Sequence, residues 1–161
     1  MQRMLMLPDL GPRGEGWVAL QGVILVAVAA AGSAGPAWNG PPRTATGALG
    51  IAFVAAGGVL ALWGLIGLGE NLTAVPRPKE RARMVDRGAY RLVRHPIYGG
   101  LILGAIGWGL LTAAPLALLA GALLGVFFDL KSRREERWLL QRYPGYGTYR
   151  ARTRKMLPGI Y

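Results

Sequence analysis

Residues 99–128 read GGLILGAIGWGLLTAAPLALLAGALLGVFF, thirty positions without a charge, and the way this run folds decides the architecture. As one helix it would measure about 45 Å, well beyond a hydrocarbon core of about 30 Å. Thr112 to Pro115 interrupts it near the middle. A proline there lacks the donor and the space that a continuous helix needs. The run therefore predicts two legs of about 16 and 14 residues, folded as a tight helical hairpin.

Upstream, Trp17 to Trp38 carries no charge over 22 positions and Gly47 to Gly69 none over 23, each long enough to cross a bilayer. Charge placement tests the reading independently, because loops rich in Lys and Arg stay in the cytoplasm. Residues 70–98 hold seven basic side chains and the tail from Lys131 holds nine, whereas the 39–46 loop holds only Arg43. Both basic segments belong on one side, so an even number of crossings joins them. Arg3 and Arg13 put the N-terminus there as well. The expectation is an all-α integral membrane protein with four transmembrane crossings and both termini cytoplasmic. The last two crossings form the hairpin, followed by a cytoplasmic C-terminal helix and tail. Residues 1–161 make a single domain: 1–65 supply an anchor and two spans, and 66–161 the chemically rich half. Met1 to Leu7 reads as an interfacial anchor set off by Pro8, Gly11 and Pro12.

Small residues four apart, Gly100 and Gly104 on one leg and Ala117, Gly121 and Gly125 on the other, predict close helix packing. Composition excludes several chemistries. With no cysteine and one histidine, the chain has neither thiolate nucleophiles nor a multi-histidine metal centre, and no metal site is expected. A net charge of +11 suggests nucleic acid, but the basic residues flank spans, where anionic headgroups account for them. Arg77, Lys79, Arg81 and Arg83 are expected to touch lipid phosphates. Asn71 opens an Asn-x-Thr sequon that faces the cytoplasm and so escapes glycosylation.

The polar chemistry concentrates at the cytoplasmic ends of the hairpin. Arg87 to Gly99 contains the single histidine, His95, followed by Pro96. Taken alone, His95 is a helix N-cap with Pro96 at the first helical position, and Tyr98 an aromatic-belt anchor. Past Phe128 the segment from Asp129 to Tyr143 reads as a charged helix ended by Pro144-Gly145. Neighbouring helical residues point about 100° apart, so one of Glu135 and Glu136 should line a pocket while the other pairs with Arg133 or Lys131.

Asn71-Leu72-Thr73, Gly88-Ala89-Tyr90-Arg91, Arg94-His95-Pro96-Ile97-Tyr98-Gly99, Glu135-Glu136 and Tyr146-Gly147-Thr148-Tyr149 occur in one order. In that ordered set, over about residues 66–161, the chain resembles the isoprenylcysteine carboxyl methyltransferase family. Membrane phospholipid N-methyltransferases are similar in the same half. The resemblance implies an enzyme that uses S-adenosylmethionine without a Rossmann sheet. The cofactor would lie between the His-Pro segment, the end of the last hairpin leg and the tail. It places His95, Tyr98 and the backbone from Pro96 to Gly99 near the cofactor's amino-acid end. One of Glu135 and Glu136 would bind its ammonium or ribose hydroxyls, and Arg94 or Arg152 its carboxylate. Tyr90 joins the cofactor-binding set through its motif, and Tyr143, Tyr146 and Tyr149 would cover the adenine or stack within the tail.

Methyl transfer from a sulfonium is an in-line displacement, so the protein mainly aligns and dehydrates the acceptor. A carboxylate acceptor, the expected one, needs no general base. An amine acceptor, as in phosphatidylethanolamine-type N-methylation, must lose a proton, for which His95, Glu135 or Glu136 is the candidate. The remaining alternatives are a non-catalytic scaffold or transporter, although its spans lack polar groups, and a nicotinamide-dependent reductase. The expected partners are membrane lipids and a lipophilic or lipid-anchored acceptor, with no nucleic acid; a homo-oligomer is compatible with all of this.

Overall fold

The computed structural model describes residues 8–38 and 43–161. The expected anchor at Met1 to Leu7 lies outside the described residues, as does the 39–42 part of the first loop. The chain is helical: α1 (Glu15–Ala34), α2 (Arg43–Leu68) with a 3-10 turn at Gly69–Asn71, α3 (Ala89–Leu92), α4 (Pro96–Leu111), α5 (Pro115–Arg142) and α6 (Tyr146–Arg152). No strand forms among the described residues beyond one isolated parallel bridge, Val93 to Arg154.

Among the described residues three helices, Glu15–Ala34, Thr44–Asn71 and Pro115–Arg142, are long and apolar enough to cross a membrane, and Pro96–Leu111 is a shorter apolar helix. Outward-facing Val23, Ile51, Val59, Ile66, Leu119 and Val126 are exposed in the isolated chain. Such a surface suits lipid and not water.

The interrupted run folds as two helices joined through Thr112–Ala114. Ala113 turns the corner at φ 52°, and its carbonyl accepts the Trp38 amide at 2.8 Å. The end of α1 is thereby tied to this same corner. The helices then run side by side. A Cβ on Gly109 would stand 2.7 Å from Leu118, and one on Gly121 would stand 3.4 Å from Ala105.

The expected four-residue pattern packs closely in part, with Gly100, Ala117 and Gly121 buried. A Cβ on Gly104 or Gly125 would meet nothing within 4 Å. The intimate contact is between α2 and α4, through glycines seven apart. A Cβ on Gly57 would lie 2.5 Å from the Gly100 carbonyl, one on Gly107 would lie 2.7 Å from the Gly50 carbonyl, and one on Gly64 would lie 2.8 Å from the Pro96 ring. Two turns separate residues seven apart, so they share a helix face and let the two backbones touch.

α1 closes the other side. Trp17 is buried against Phe127 on α5 with ring centroids 5.7 Å apart, and its indole N–H donates to the Pro8 carbonyl at 3.2 Å. Beyond the apolar run α5 continues unbroken through its charged half until Tyr143 and Pro144 end it. The tail then folds back on the His-Pro segment: the amides of Arg94 and His95 donate to the carbonyls of Arg154 and Lys155, each at 2.9 Å. Gly99 is required here, because a Cβ would fall 2.1 Å from the Met156 carbonyl.

Candidate active site

His95 caps α4 and Pro96 takes its first turn, where the missing proline N–H costs nothing. The imidazole makes no side-chain cap. It is buried instead, its ring parallel to that of Tyr98 at 5.3 Å, and Tyr98 in turn stacks on Phe128 at 4.5 Å. Each ring nitrogen faces a different carboxylate: Nε2 lies 3.2 Å from Oε1 of Glu136, and Nδ1 lies 3.7 Å from Oε2 of Glu135.

The two glutamates differ as their 100° offset requires. Glu136 is buried, and its carboxylate is held by Arg94 Nε at 2.7 Å, Arg150 Nε at 3.2 Å and His95. The expected pairing of one glutamate with Arg133 or Lys131 is therefore not the one formed. Arg133 pairs with Asp129 one turn earlier at 2.7 Å, and Lys131 donates to Gln21 of α1 at 2.6 Å. Arg94 also donates to the carbonyls of Arg150 and Thr153, pinning the tail to the His-Pro segment. Glu135 accepts the Tyr98 hydroxyl at 2.9 Å and turns toward a cavity.

That cavity measures about 280 Å³. Its wall combines the 71–85 segment with the His-Pro segment, α5 and α6. Of the residues singled out in the sequence, Tyr90, Arg94, His95, Ile97, Tyr98, Lys131, Glu135, Tyr143, Tyr146 and Tyr149 line it, as do Asn71, Leu72 and Thr73 and also Arg83, which was expected against lipid phosphates. Pro96, Gly99 and Glu136 lie outside the lining and hold its frame. Arg152 is exposed and paired with Asp86 at 3.0 Å, and it lines a second cavity with Arg91 and Tyr149.

The aromatic wall is fixed by backbone contacts. The Tyr149 hydroxyl donates to the Tyr90 carbonyl at 2.6 Å, and that of Tyr143 to the Ala82 carbonyl at 2.8 Å. The Tyr146 hydroxyl is different: it is buried without a hydrogen-bond partner among the described residues. Burial pushes the phenols of Tyr90, Tyr146 and Tyr149 up, with neighbouring carboxylates adding to the effect, so all three stay protonated. A buried hydroxyl left unpaired costs free energy.

The lining thus offers an acid at Glu135, cationic side chains at Arg83 and Arg94, and flat aromatic surfaces beside apolar Leu65, Leu68 and Ile97, with Lys131 at its membrane-side end. A ligand carrying both charges, hydroxyls and a planar ring fits that donor set. Two contributors were not expected from the sequence to line a cavity: Lys131, which was expected only as a partner of a glutamate, and Gln21. Lys131 precedes Glu135 by one turn and shares its face, a relation that becomes useful only once Glu135 is known to be the cavity-facing acid. Gln21 is an amide inside an otherwise apolar span, and that was a usable signal.

Comparison with known proteins adds two findings. The family model described as phospholipid methyltransferase matches residues 45–145. The chain is also 28% identical over 116 residues to a probable protein-S-isoprenylcysteine O-methyltransferase of Oryza sativa subsp. indica, and equally to one of the same description from subsp. japonica. These matches cover 70% of this chain and 61% of each relative, so the chain spans less than two thirds of the relatives' length.

Proposed function

The chain belongs to the phospholipid methyltransferase family, and from that premise we propose that it is an S-adenosylmethionine-dependent methyltransferase. It works at the cytoplasmic membrane face on a lipophilic acceptor, foremost a carboxylate of the isoprenylcysteine kind. The observation that carries this reading is the division of labour between the glutamates. Glu136 is paired behind the wall with Arg94 and Arg150 and lies against His95, while Glu135 is presented to the cavity with Tyr98 and His95. The topology proposed with it has four crossings, α4 and α5 forming the last two, and both termini in the cytoplasm.

S-Adenosylmethionine, when bound, supplies a methyl group on a positively charged sulfonium. Glu135 would hold its ammonium or ribose hydroxyls, and Arg94 would offer its remaining terminal nitrogen to the carboxylate. The Tyr146 hydroxyl would gain the partner it lacks, and Tyr90 and Tyr149 would flank the adenine. Stacking on Phe128 keeps Tyr98, and with it Glu135, in one orientation, which reduces the entropy lost on binding. A carboxylate acceptor attacks unaided once it is aligned and dehydrated by the apolar side of the cavity.

A second reading, phospholipid N-methylation, is favoured by the description of the matched family. There the acceptor nitrogen must shed a proton, and Glu135 is the acid–base group in the lining best placed to take it, with His95 behind. Incubating the purified protein with methyl-labelled S-adenosylmethionine and either N-acetyl-S-farnesylcysteine or phosphatidylethanolamine vesicles tests both. Label released by mild base from the first supports carboxyl methylation, and base-stable label in the second supports N-methylation. No transfer to either by folded protein contradicts the proposal.

A further inference from the structure

Lys131 is 1% exposed and lines the cavity, yet among the described residues no carboxylate lies within 4 Å of its ammonium. Its Nζ donates to Oε1 of Gln21 at 2.6 Å and sits 5.1 Å from the centre of the Tyr98 ring. A buried ammonium carries three donors and is ordinarily matched by an anion. Here one donor is spent on a neutral amide and a second attraction is to a π face, and Glu135 acts on the ammonium only from a distance, so no anion is in contact with it among the described residues. Glu135, one turn along, is the nearest acid in sequence on this face, and it is bonded to Tyr98 and adjacent to His95.

Position narrows what such an anion belongs to. Lys131 follows the apolar half of α5 by three residues, so it lies on the membrane side of Glu135. Leu65, Leu68 and Ile97 are the apolar lining residues on this side, and Leu72, Met84, Val85 and Leu139 line the other parts of the cavity. A cytoplasmic cofactor held at Glu135 leaves this membrane-side end to the acceptor. Gln21 comes from α1, outside the region that matches the family model, so α1 completes the subsite.

We propose that Lys131, steadied by Gln21 and Tyr98, is the subsite for an anionic oxygen of the acceptor. The protein is thereby selective for amphiphiles that present a carboxylate or phosphate beside an apolar chain. This rests on the methyltransferase reading for the word acceptor, but the anion site itself does not.

The test titrates the full-length detergent-purified protein with three probes: N-acetyl-S-farnesylcysteine, its neutral methylamide and dodecyl phosphate. S-adenosylhomocysteine is titrated separately. The wild type should bind at least one anionic amphiphile about tenfold more tightly than the methylamide. Lys131→Met should remove that preference while leaving the methylamide and S-adenosylhomocysteine affinities within about twofold, and Lys131→Arg should retain most of it. Gln21→Leu, which leaves the charge in place, should weaken the anionic probe by a smaller factor. The tighter of the carboxylate and phosphate probes identifies the source of the anion. Equal binding of charged and neutral probes by the wild type overturns the proposal. So does a Lys131→Met variant that melts like wild type and loses only S-adenosylhomocysteine, because Lys131 would then serve the cofactor. Failure of S-adenosylhomocysteine to bind the wild type, with the anion preference intact, would sink the methyltransferase reading alone.

Discussion

Arg94 Nε stands 2.7 Å from Oε1 of Glu136, joining two residues 42 positions apart across the buried side of the cavity wall. Because Arg94 also donates to two tail carbonyls, this one pair fastens the His-Pro segment, α5 and the tail together. Glu136→Gln leaves two arginines facing a neutral amide. Breaking a buried pair from one side costs about 3 kcal/mol. Glu135→Gln, by contrast, keeps an oxygen for the Tyr98 hydroxyl and should cost less than about 1 kcal/mol. Thermal unfolding of the two variants should separate them clearly, and equal destabilisation would contradict the division of labour.

The contact between α2 and α4 predicts a pattern among glycines. Gly57→Ala and Gly107→Ala put a methyl against backbone of the facing helix and should destabilise by about 1–3 kcal/mol. Gly104→Ala and Gly125→Ala add a methyl to open space inside a helix and should be neutral or stabilising by up to about 1 kcal/mol. Melting temperatures in one detergent decide it.

These two cases also show how far the sequence could be read. Runs without charge, Pro115 and Pro144-Gly145 mark helices and their ends because the signals are local. The seven-residue glycine register was equally printed in the chain, at Gly50, Gly57 and Gly64, but small residues are abundant and only the facing helix selects among them. Likewise the 100° offset between Glu135 and Glu136 was legible, whereas the direction of the cavity was not, since it depends on how α5 is rotated against α1 and α4. The link from Lys131 to Gln21 spans 110 positions, and nothing local to either residue announces it.

Tyr146→Phe removes a buried hydroxyl that has no partner among the described residues, so stability should hold or rise by about 1 kcal/mol. If the hydroxyl serves the bound cofactor, S-adenosylhomocysteine affinity should fall about tenfold in the same variant. A loss of stability without a loss of affinity would show the hydroxyl to be structural.

The raised phenols give stability a definite alkaline limb. Buried Tyr90, Tyr146 and Tyr149 keep their protons in the folded state, while the unfolded chain releases them near pH 10. The folded state then binds more protons, so stability is full below about pH 10 and falls as pH rises beyond it, by about 1.4 kcal/mol per pH unit for each phenol. Burial holds Lys155 below its ordinary value and contributes the opposite sign, but only up to about pH 10.4. Unfolding followed from pH 9 to 11.5 should show the decline. A shallower slope in a Tyr146→Phe, Tyr149→Phe double variant would assign it.

The most direct test of the central claim is a calorimetric titration of S-adenosylhomocysteine into detergent-purified wild type and Glu135→Gln, with NADPH as the control ligand. The account predicts saturable one-site binding of S-adenosylhomocysteine alone, weakened at least about tenfold by Glu135→Gln in a variant that melts close to wild type. Absence of binding to a folded wild type, or affinity indifferent to Glu135, would contradict it.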